Sequence, residues 1–515
     1  MFLRLPQRVK RHPSLYKSIT HPASLCVLIG LVLGAHHLFD PIWHDEAYML
    51  EFFASHPLNA LTDYHLPNNH ILFSFLLACY KELFGIGDLQ VFWLRLFPLV
   101  SFLISITLLC CILNRVQGKR AAWLGGLLFV ASHVVLNFAL ELRGYGFSWL
   151  PLTLSWYLLL RYVESEEGHR KKQWFYGYAL TAIATVGILP TNLLLFGVIT
   201  AVSVFLHSVR IQEFRIRMLL EHVCRIGIPP VLGLIFLIPV GDQLSQAVNG
   251  AASTSLETWV IHVPWATLSD LWWITPFFVY GIYRTIKAFH FRENNYNTAW
   301  GPLLFGLTLI LPCACIAVLP VSPPVRIFVP FLPLLYGAMG IAVAAGTPST
   351  LKYSRVLFFL LACVLVSTGF YREYVDAGYG KRHSSAEIIE DNLYDQHYQD
   401  NFGVEKTVHR IMELTRNHSY VFWVGSSDPF TFFWYIRRTD RPPDSFPNDI
   451  IWAKMYKKDP DRYEDAKQTD RRIGVVARSR KDARKTLDMV GLDKPWSLEQ
   501  DADFGHFQIF LLRKR

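Results

Sequence analysis

LCVLIGLVLGAHHLFDPIWHDEAYML, residues 25–50, decides how this chain is read. An unbroken apolar run ends there, and two adjacent carboxylates, Asp45 and Glu46, follow within a few residues. A run of that length and character reads as a membrane-spanning helix, so the acids stand at a membrane boundary. The whole chain supports that reading. Of 515 residues, 52% are hydrophobic, 15% aromatic and only 18% charged, and the mean hydropathy is +0.25. Soluble domains are less apolar and more charged than this. Apolar stretches near the length of a bilayer recur from residue 23 to residue 371. They define a polytopic α-helical membrane module over 1–371. Residues 372–515 are polar, hold no spanning run, and read as a separate soluble α/β domain.

Charge sets the topology. The candidate spans are 23–40, 91–114, 121–139, 145–163, 174–189, 191–208, 223–240, 265–285, 299–320, 327–345 and 354–371, about eleven in all. Basic residues cluster in the N-terminus and in the loops at Arg115/Lys119/Arg120, Arg170/Lys171/Lys172, Arg210/Arg215/Arg217, Arg284/Lys287/Arg292 and Lys352/Arg355. These loops share one side, the cytoplasmic one, only if NHILFSFLLACYKELFG (69–85) does not cross. It is therefore read as an interfacial or re-entrant helix in the first outer loop. The C-terminal domain then lies outside, and RIQEFRIRMLLEHVCR lies on the cytoplasmic surface. The N-terminus resembles a signal peptide but is read as a retained first helix. The net charge of +9 is explained by basic cytoplasmic loops rather than by nucleic acid. All eight cysteines lie in or beside apolar segments, so the soluble domain has no disulfide framework. In that domain SYVFWVG, RIGVVAR and HFQIFLLR read as strands and DARKTLDMVG as a helix.

On the outer side of the membrane module cations are few: Lys81, Arg143 and Arg326, with Arg95 one turn into the second span. Asp45, Glu46, Asp63, Asp88 and Glu141 share that side. Taken singly, each is a snorkelling or rim charge. Taken together, acids of the first outer loop face arginines from the boundaries of two later spans. That pairing fits group transfer with an anionic leaving group. A carboxylate takes the proton of an attacking hydroxyl, and a guanidinium holds a departing phosphate through two hydrogen bonds. Asp45 is the candidate base, and Arg143 and Arg326 are the candidate phosphate clamp. His44, His65 and His70 lie in the same loop, so a divalent metal is conceivable, although their spacing is no recognised ligand pattern. SSDPF (426–430) and FTFFWY read first as a loop and a packed helix, and second as a glycan or acceptor surface. Neither a Walker nor a dinucleotide fingerprint is present.

These residues resemble the GT-C superfamily of integral-membrane glycosyltransferases, in the branch of protein O-mannosyltransferases and lipid A aminoarabinose transferases. The resemblance covers about residues 25–345. An acidic pair and nearby tyrosine follow the first span, matched by Asp45, Glu46 and Tyr48. LPNNHILFSFLLACYKELFG fills the place of an outer helix, with Asn69 and His70 at its start, and Asn68-Asn69 standing where a double proline is usual. Arg95-Leu96 opens the next span, Arg143 and Tyr145 make an R-x-Y closing the third, and RIFVPFLP supplies Arg326, Pro330 and Pro333 late in the chain. The resemblance implies inverting transfer of a sugar from a polyprenyl-phosphate donor to an acceptor hydroxyl outside the membrane, with Asp45 as base. Glu46 is placed with it in the catalytic loop, chiefly to shape it. Arg143, Arg326, Arg95 and Tyr145 would bind the donor phosphate, and Tyr48, His65, Asn69 and His70 would line the groove. The acceptor is a glycolipid, a glycan or a protein. The location implied is a bacterial inner (plasma) membrane, or the endoplasmic reticulum in a eukaryote. A transporter or flippase of lipid-linked sugars, or a catalytically idle subunit, are the competing readings. Charges at span ends and on one side, rather than at mid-span, favour the transferase.

Overall fold

The computed structural model describes residues 15–65, 69–165, 168–211, 216–243, 257, 260–261, 274–290, 300–317, 325–346, 354–371, 404–418, 420–425, 429–438, 450–453, 472–477, 479–492, 496–503 and 507–514. The chain opens with α1 (Leu15–Gly34), continued by a 3-10 turn at Ala35–Phe39. The segment that follows makes two short helices, α2 (His44–Tyr48) and α3 (Pro57–Thr62), and the longer α4 (Ile71–Phe84). The helical part continues through α5 (Val91–Gln117), α6 (Lys119–Val130), α7 (His133–Ala139), α8 (Gly144–Phe147), α9 (Trp149–Glu164), α10 (His169–Ile188), α11 (Leu193–Ile211) and α12 (Ile216–Leu232). It closes with α13 (Thr275–His290), α14 (Trp300–Ala317), α15 (Leu332–Gly346) and α16 (Ser354–Tyr371).

Each expected span holds a helix, at least in part, although 265–273 of the eighth and 299 and 318–320 of the ninth lie outside the described residues. Among the described residues four helices are long and apolar enough to cross a membrane: Pro22–Phe39, Val91–Gln117, Val223–Gln243 and Arg326–Ala345. A fifth results if Lys119–Val130 and His133–Ala139, bent by 68° to one another, are a single broken span. The straight span expected over 121–139 is therefore bent. Ser132 begins a new helix there: its Oγ accepts the Val135 amide at 3.4 Å, and it bonds the Tyr336 hydroxyl at 2.8 Å. Helix α4 has 14 residues, about 21 Å of rise and too short for a bilayer. It stops at Gly85, whose φ of 64° lets the chain turn back and the Ile86 amide reach the Lys81 carbonyl at 2.9 Å.

Glycines bring the helices of the site together. On α6 and α15, Gly125 and Gly340 meet so closely that a Cβ on Gly340 would stand 2.5 Å from the Gly125 nitrogen. Between membrane helices such close approach replaces the hydrophobic drive available in water. The contact matters for function because α6 and α7 lead into Arg143 and α15 follows Arg326.

The C-terminal part holds α17 (Val404–His418), α18 (Pro429–Arg437), α19 (Arg480–Met489) and a five-stranded sheet. Its strands are β1 (Tyr420–Val424), β2 (Ile450–Trp452), β3 (Arg472–Ala477), β4 (Trp496–Asp503) and β5 (Gln508–Lys514), in the order β2-β1-β3-β5-β4. β1 pairs parallel with β2 and β3, whereas β5 runs antiparallel to β3 and β4. The three expected strands and the helix are present, and β2 and β4 are additional. The surface helix expected at 210–225 falls partly outside the described residues, as do 372–403 after the expected domain boundary.

Candidate active site

Helix α2 is a single turn, and that turn separates its two acids. Adjacent residues on a helix point about 100° apart. Glu46 points inward and is fully buried, while Asp45 points to the side and keeps 14% of its side-chain surface exposed. Glu46 accepts the Leu142 amide at 2.7 Å and the Trp43 amide at 3.3 Å, the latter closing the first turn of α2. It also receives both Arg95 terminal nitrogens, at 3.2 and 3.0 Å. Arg95 is itself fully buried and donates further to the carbonyls of Leu140, Asp40 and Pro41 at 2.9, 3.3 and 3.3 Å. The Arg95–Glu46 pair therefore ties the first loop to α5 and to the end of α7.

Asp45 has different partners. Its Oδ2 accepts from Arg143 at 2.6 Å and from Arg326 at 2.7 Å. Arg143 is 1% exposed and Arg326 is 30% exposed, so one cation stands behind the carboxylate and the other opens towards solvent. The Trp43 ring lies 5.8 Å from the Arg143 guanidinium carbon and 6.0 Å from that of Arg326, and Tyr145 lies 4.8 Å from Arg143. Aromatic faces attract cations, so these rings hold two like charges beside one acid. Burial alone would push the Arg143 pKa down, but Tyr145, Asp45, Glu141 and Glu46 beside it hold it above the ordinary value.

Glu141, two residues before Arg143, is the residue of this cluster whose importance the sequence did not signal. It is 2% exposed, its Oε1 stands 4.0 Å from Arg143, and its Oε2 has no hydrogen-bond partner among the described residues. Burial pushes its carboxyl up to about 8 against the pull of Arg143, so it is protonated at neutral pH. Trp43 was likewise missed. Its signal is its place two residues before Asp45, which only the folded turn makes meaningful.

The groove residues divide in two. Tyr48 and His65 pair at 2.7 Å, and His65 passes on to Asp63 at 2.5 Å, forming a partly exposed Tyr–His–Asp chain. Asn69 and His70 are buried and close the loop instead. The Asn69 amide donates to the carbonyls of Ala60 and Asp63, each at 2.8 Å. His70 accepts the Gly144 amide through Nδ1, and burial together with Arg143 and Arg326 lowers its pKa well below the usual value, so it is neutral. A Cβ on Gly144 would stand 2.7 Å from that nitrogen, which explains glycine immediately after Arg143. Asn68 lies outside the described residues. Asp45, Arg143, Arg326 and Tyr145 are thus brought together, whereas Arg95 stands apart with Glu46. Among the described residues no three His, Cys, Asp or Glu side chains converge on a metal position. His44 instead lies against the Tyr48 and Phe430 rings, at 6.3 and 5.4 Å between centroids.

The fold is similar to those of solved membrane-protein structures of glycosyltransferases. Over 96% of this chain and 74% of the other it is similar to the oligosaccharyltransferase AglB from Archaeoglobus fulgidus, solved with an inhibitory peptide and a dolichol-phosphate, at TM-score 0.51 and 10% identity. It is also similar to ArnT from Cupriavidus metallidurans, over 96% and 97% of the two chains at TM-score 0.49 and 13% identity, a protein also solved bound to undecaprenyl phosphate. A third likeness is to the arabinosyltransferase EmbB from Mycobacterium smegmatis, over 76% and 40% of the chains at TM-score 0.40 and 14% identity. No family model and no curated protein sequence matches the chain.

Proposed function

We propose that the chain is a membrane glycosyltransferase, moving a sugar from a polyprenyl-phosphate donor to an acceptor hydroxyl on the extracytoplasmic face. The observation that carries this reading is Asp45 Oδ2 held by both Arg143 and Arg326. Glu46 and Arg95 neutralise one another, and Glu141 holds its proton. Among the described residues the remaining group has two cations and one anion, and a phosphodiester monoanion would balance the extra positive charge. AglB, whose fold this chain shares, was solved with a dolichol-phosphate, a ligand of the chemistry that such a cationic pair accepts.

In the reaction the acceptor oxygen attacks the anomeric carbon and the carbon–oxygen bond to phosphate breaks. The electron pair leaves on the phosphate oxygen, and the hydroxyl proton passes to the Asp45 carboxylate. Asp45 becomes neutral as the phosphate becomes a monoester and gains negative charge, so both guanidiniums are released to the leaving group as that charge develops. Attack from the face opposite the phosphate inverts the anomeric centre. Arg95, buried and saturated by Glu46 and carbonyls, supports the loop in this reading and does not touch phosphate. Tyr145 acts by orienting Arg143, and Glu46 by shaping α2.

The test uses cells lacking the gene, complemented with wild type or Asp45→Asn at matched membrane levels, with glycolipids, surface glycans and glycoproteins profiled by mass spectrometry. One species should gain a single sugar with wild type and not with the variant, since loss of a general base costs about 10²–10⁴ in rate. A full profile restored by Asp45→Asn would remove Asp45 as base.

A further inference from the structure

The C-terminal domain reaches the catalytic loop through one helix, α18, and touches it before, at and after Asp45. Before it, the Ile42 amide donates to the Tyr435 hydroxyl at 2.8 Å in a buried contact between residues 393 apart. At the α2 turn, the Phe430 ring lies 5.4 Å from His44 and 5.1 Å from Tyr48, the residues preceding Asp45 and one turn beyond it. After it, Arg438 bonds Glu51 at 2.6 Å and also Asp88 at 3.0 Å, at the turn between α4 and α5. Lys81 joins the same group by donating to the Ala54 carbonyl at 3.0 Å.

The contact at Ile42 has a particular geometry. The peptide unit between Pro41 and Ile42 is gripped at both ends: its carbonyl accepts from Arg95 and its amide donates to Tyr435. Arg95 belongs to the membrane module and Tyr435 to the C-terminal domain. Three residues further on stands Asp45. A peptide plane held at both ends cannot rotate, and its orientation sets the direction in which α2 leaves.

We propose that Tyr435 is a positioning residue for Asp45, and that α18 of the C-terminal domain completes the active site by fixing the loop 42–51. The inference rests on Asp45 being the base, as proposed above. It gives the soluble domain a role in transfer that does not require the domain to touch either substrate. A displacement of the order of 1 Å in a reacting group costs about 10²-fold in rate, so one lost anchor is readable in product.

The test compares wild type, Tyr435→Phe, Arg438→Gln and Asp45→Asn in the full-length protein. Amide exchange is followed by mass spectrometry over peptides spanning 40–53, with undecaprenyl phosphate binding in detergent and product yield in complemented cells. Tyr435→Phe keeps the ring and removes the oxygen. Exchange over 40–53 should rise about 10-fold and product should fall about 10- to 100-fold, with undecaprenyl phosphate affinity within about 2-fold of wild type. Arg438→Gln should act in the same direction, and it carries the test if Tyr435→Phe does not accumulate. Wild-type exchange and yield in both variants, beside an inactive Asp45→Asn, would overturn the inference and leave the transferase reading standing. Product loss accompanied by loss of undecaprenyl phosphate binding would overturn it too, since the fold rather than the loop would have failed. If wild type itself yields no product, the transferase reading fails, and the exchange data alone decide whether α18 holds the loop.

Discussion

Two neighbouring carboxylates divide their work because one helical turn sends them to different surroundings. Glu46 and Arg95 form a sealed ion pair with both side chains fully buried. Removing one partner of such a pair strands the other as an uncompensated buried charge, at about 3–5 kcal/mol. Arg95→Met should therefore lower the thermal unfolding midpoint in detergent markedly, and adding Glu46→Gln should recover part of the loss. An unchanged midpoint for the single variant would show the pair to be dispensable. Glu141 supplies a pH dependence. Its folded pKa of about 8 lies above the ordinary carboxylate value of 4.5, so the protonated form is favoured by folding. Its contribution to stability is complete below about 4.5 and is lost as pH rises towards 8. Above 8 its negative charge would also cancel the spare positive charge of the arginine pair. Undecaprenyl phosphate affinity should fall as pH rises through 8, and Glu141→Gln should flatten that limb of the profile. The sequence named Asp45, Arg143 and Arg326 because they are charges at membrane boundaries. It marked Glu141 only as one more acid on the rim, since its burial is not visible in one dimension, and it did not show that Arg95 would turn inward to Glu46.

At the scale of elements, apolar runs located the helices because a bilayer demands length and hydrophobicity, and both are visible in one dimension. The break at Ala131–Ser132 was not visible. No proline or glycine marks it, and its cause, a bond from Ser132 to Tyr336, links residues 204 apart. In the C-terminal domain β1, β3 and β5 carry dense apolar patterns. β2 has only three residues, and β4 (WSLEQDAD) is too polar to signal a strand. The crossing of α6 and α15 rests on Gly125 and Gly340, and the atoms a Cβ on Gly340 would meet are backbone, which has nowhere to go. Gly340→Leu should cost at least about 1–3 kcal/mol through overpacking. Because these helices position Arg143 and Arg326, it should also weaken undecaprenyl phosphate binding, measured on the purified protein. Wild-type binding by that variant would show that the arginines are placed by other contacts.

The site as a whole is assembled from distant parts of the chain: Asp45 and Arg326 meet across 281 residues. No local pattern encodes that meeting. It appeared in the sequence only as two motifs on the same side of a membrane. A ligand bound by the folded site alone stabilises the whole molecule, by about 2.7 kcal/mol at 100-fold excess over Kd. Undecaprenyl phosphate should therefore raise the melting midpoint of wild type, while Arg143→Ala and Arg326→Ala should each abolish most of the rise. A shift retained in both variants would place the lipid phosphate elsewhere.

The bond from Ile42 to Tyr435 also has a consequence in time. Ile42 leaves the ribosome long before Tyr435, and at about 5–20 residues per second the interval over 393 residues is roughly 20–80 s. Throughout it the first loop stands in the membrane without the partner that fixes its peptide plane. On the proposed reading, the loop that carries Asp45 gains this anchor only once Tyr435 has been made.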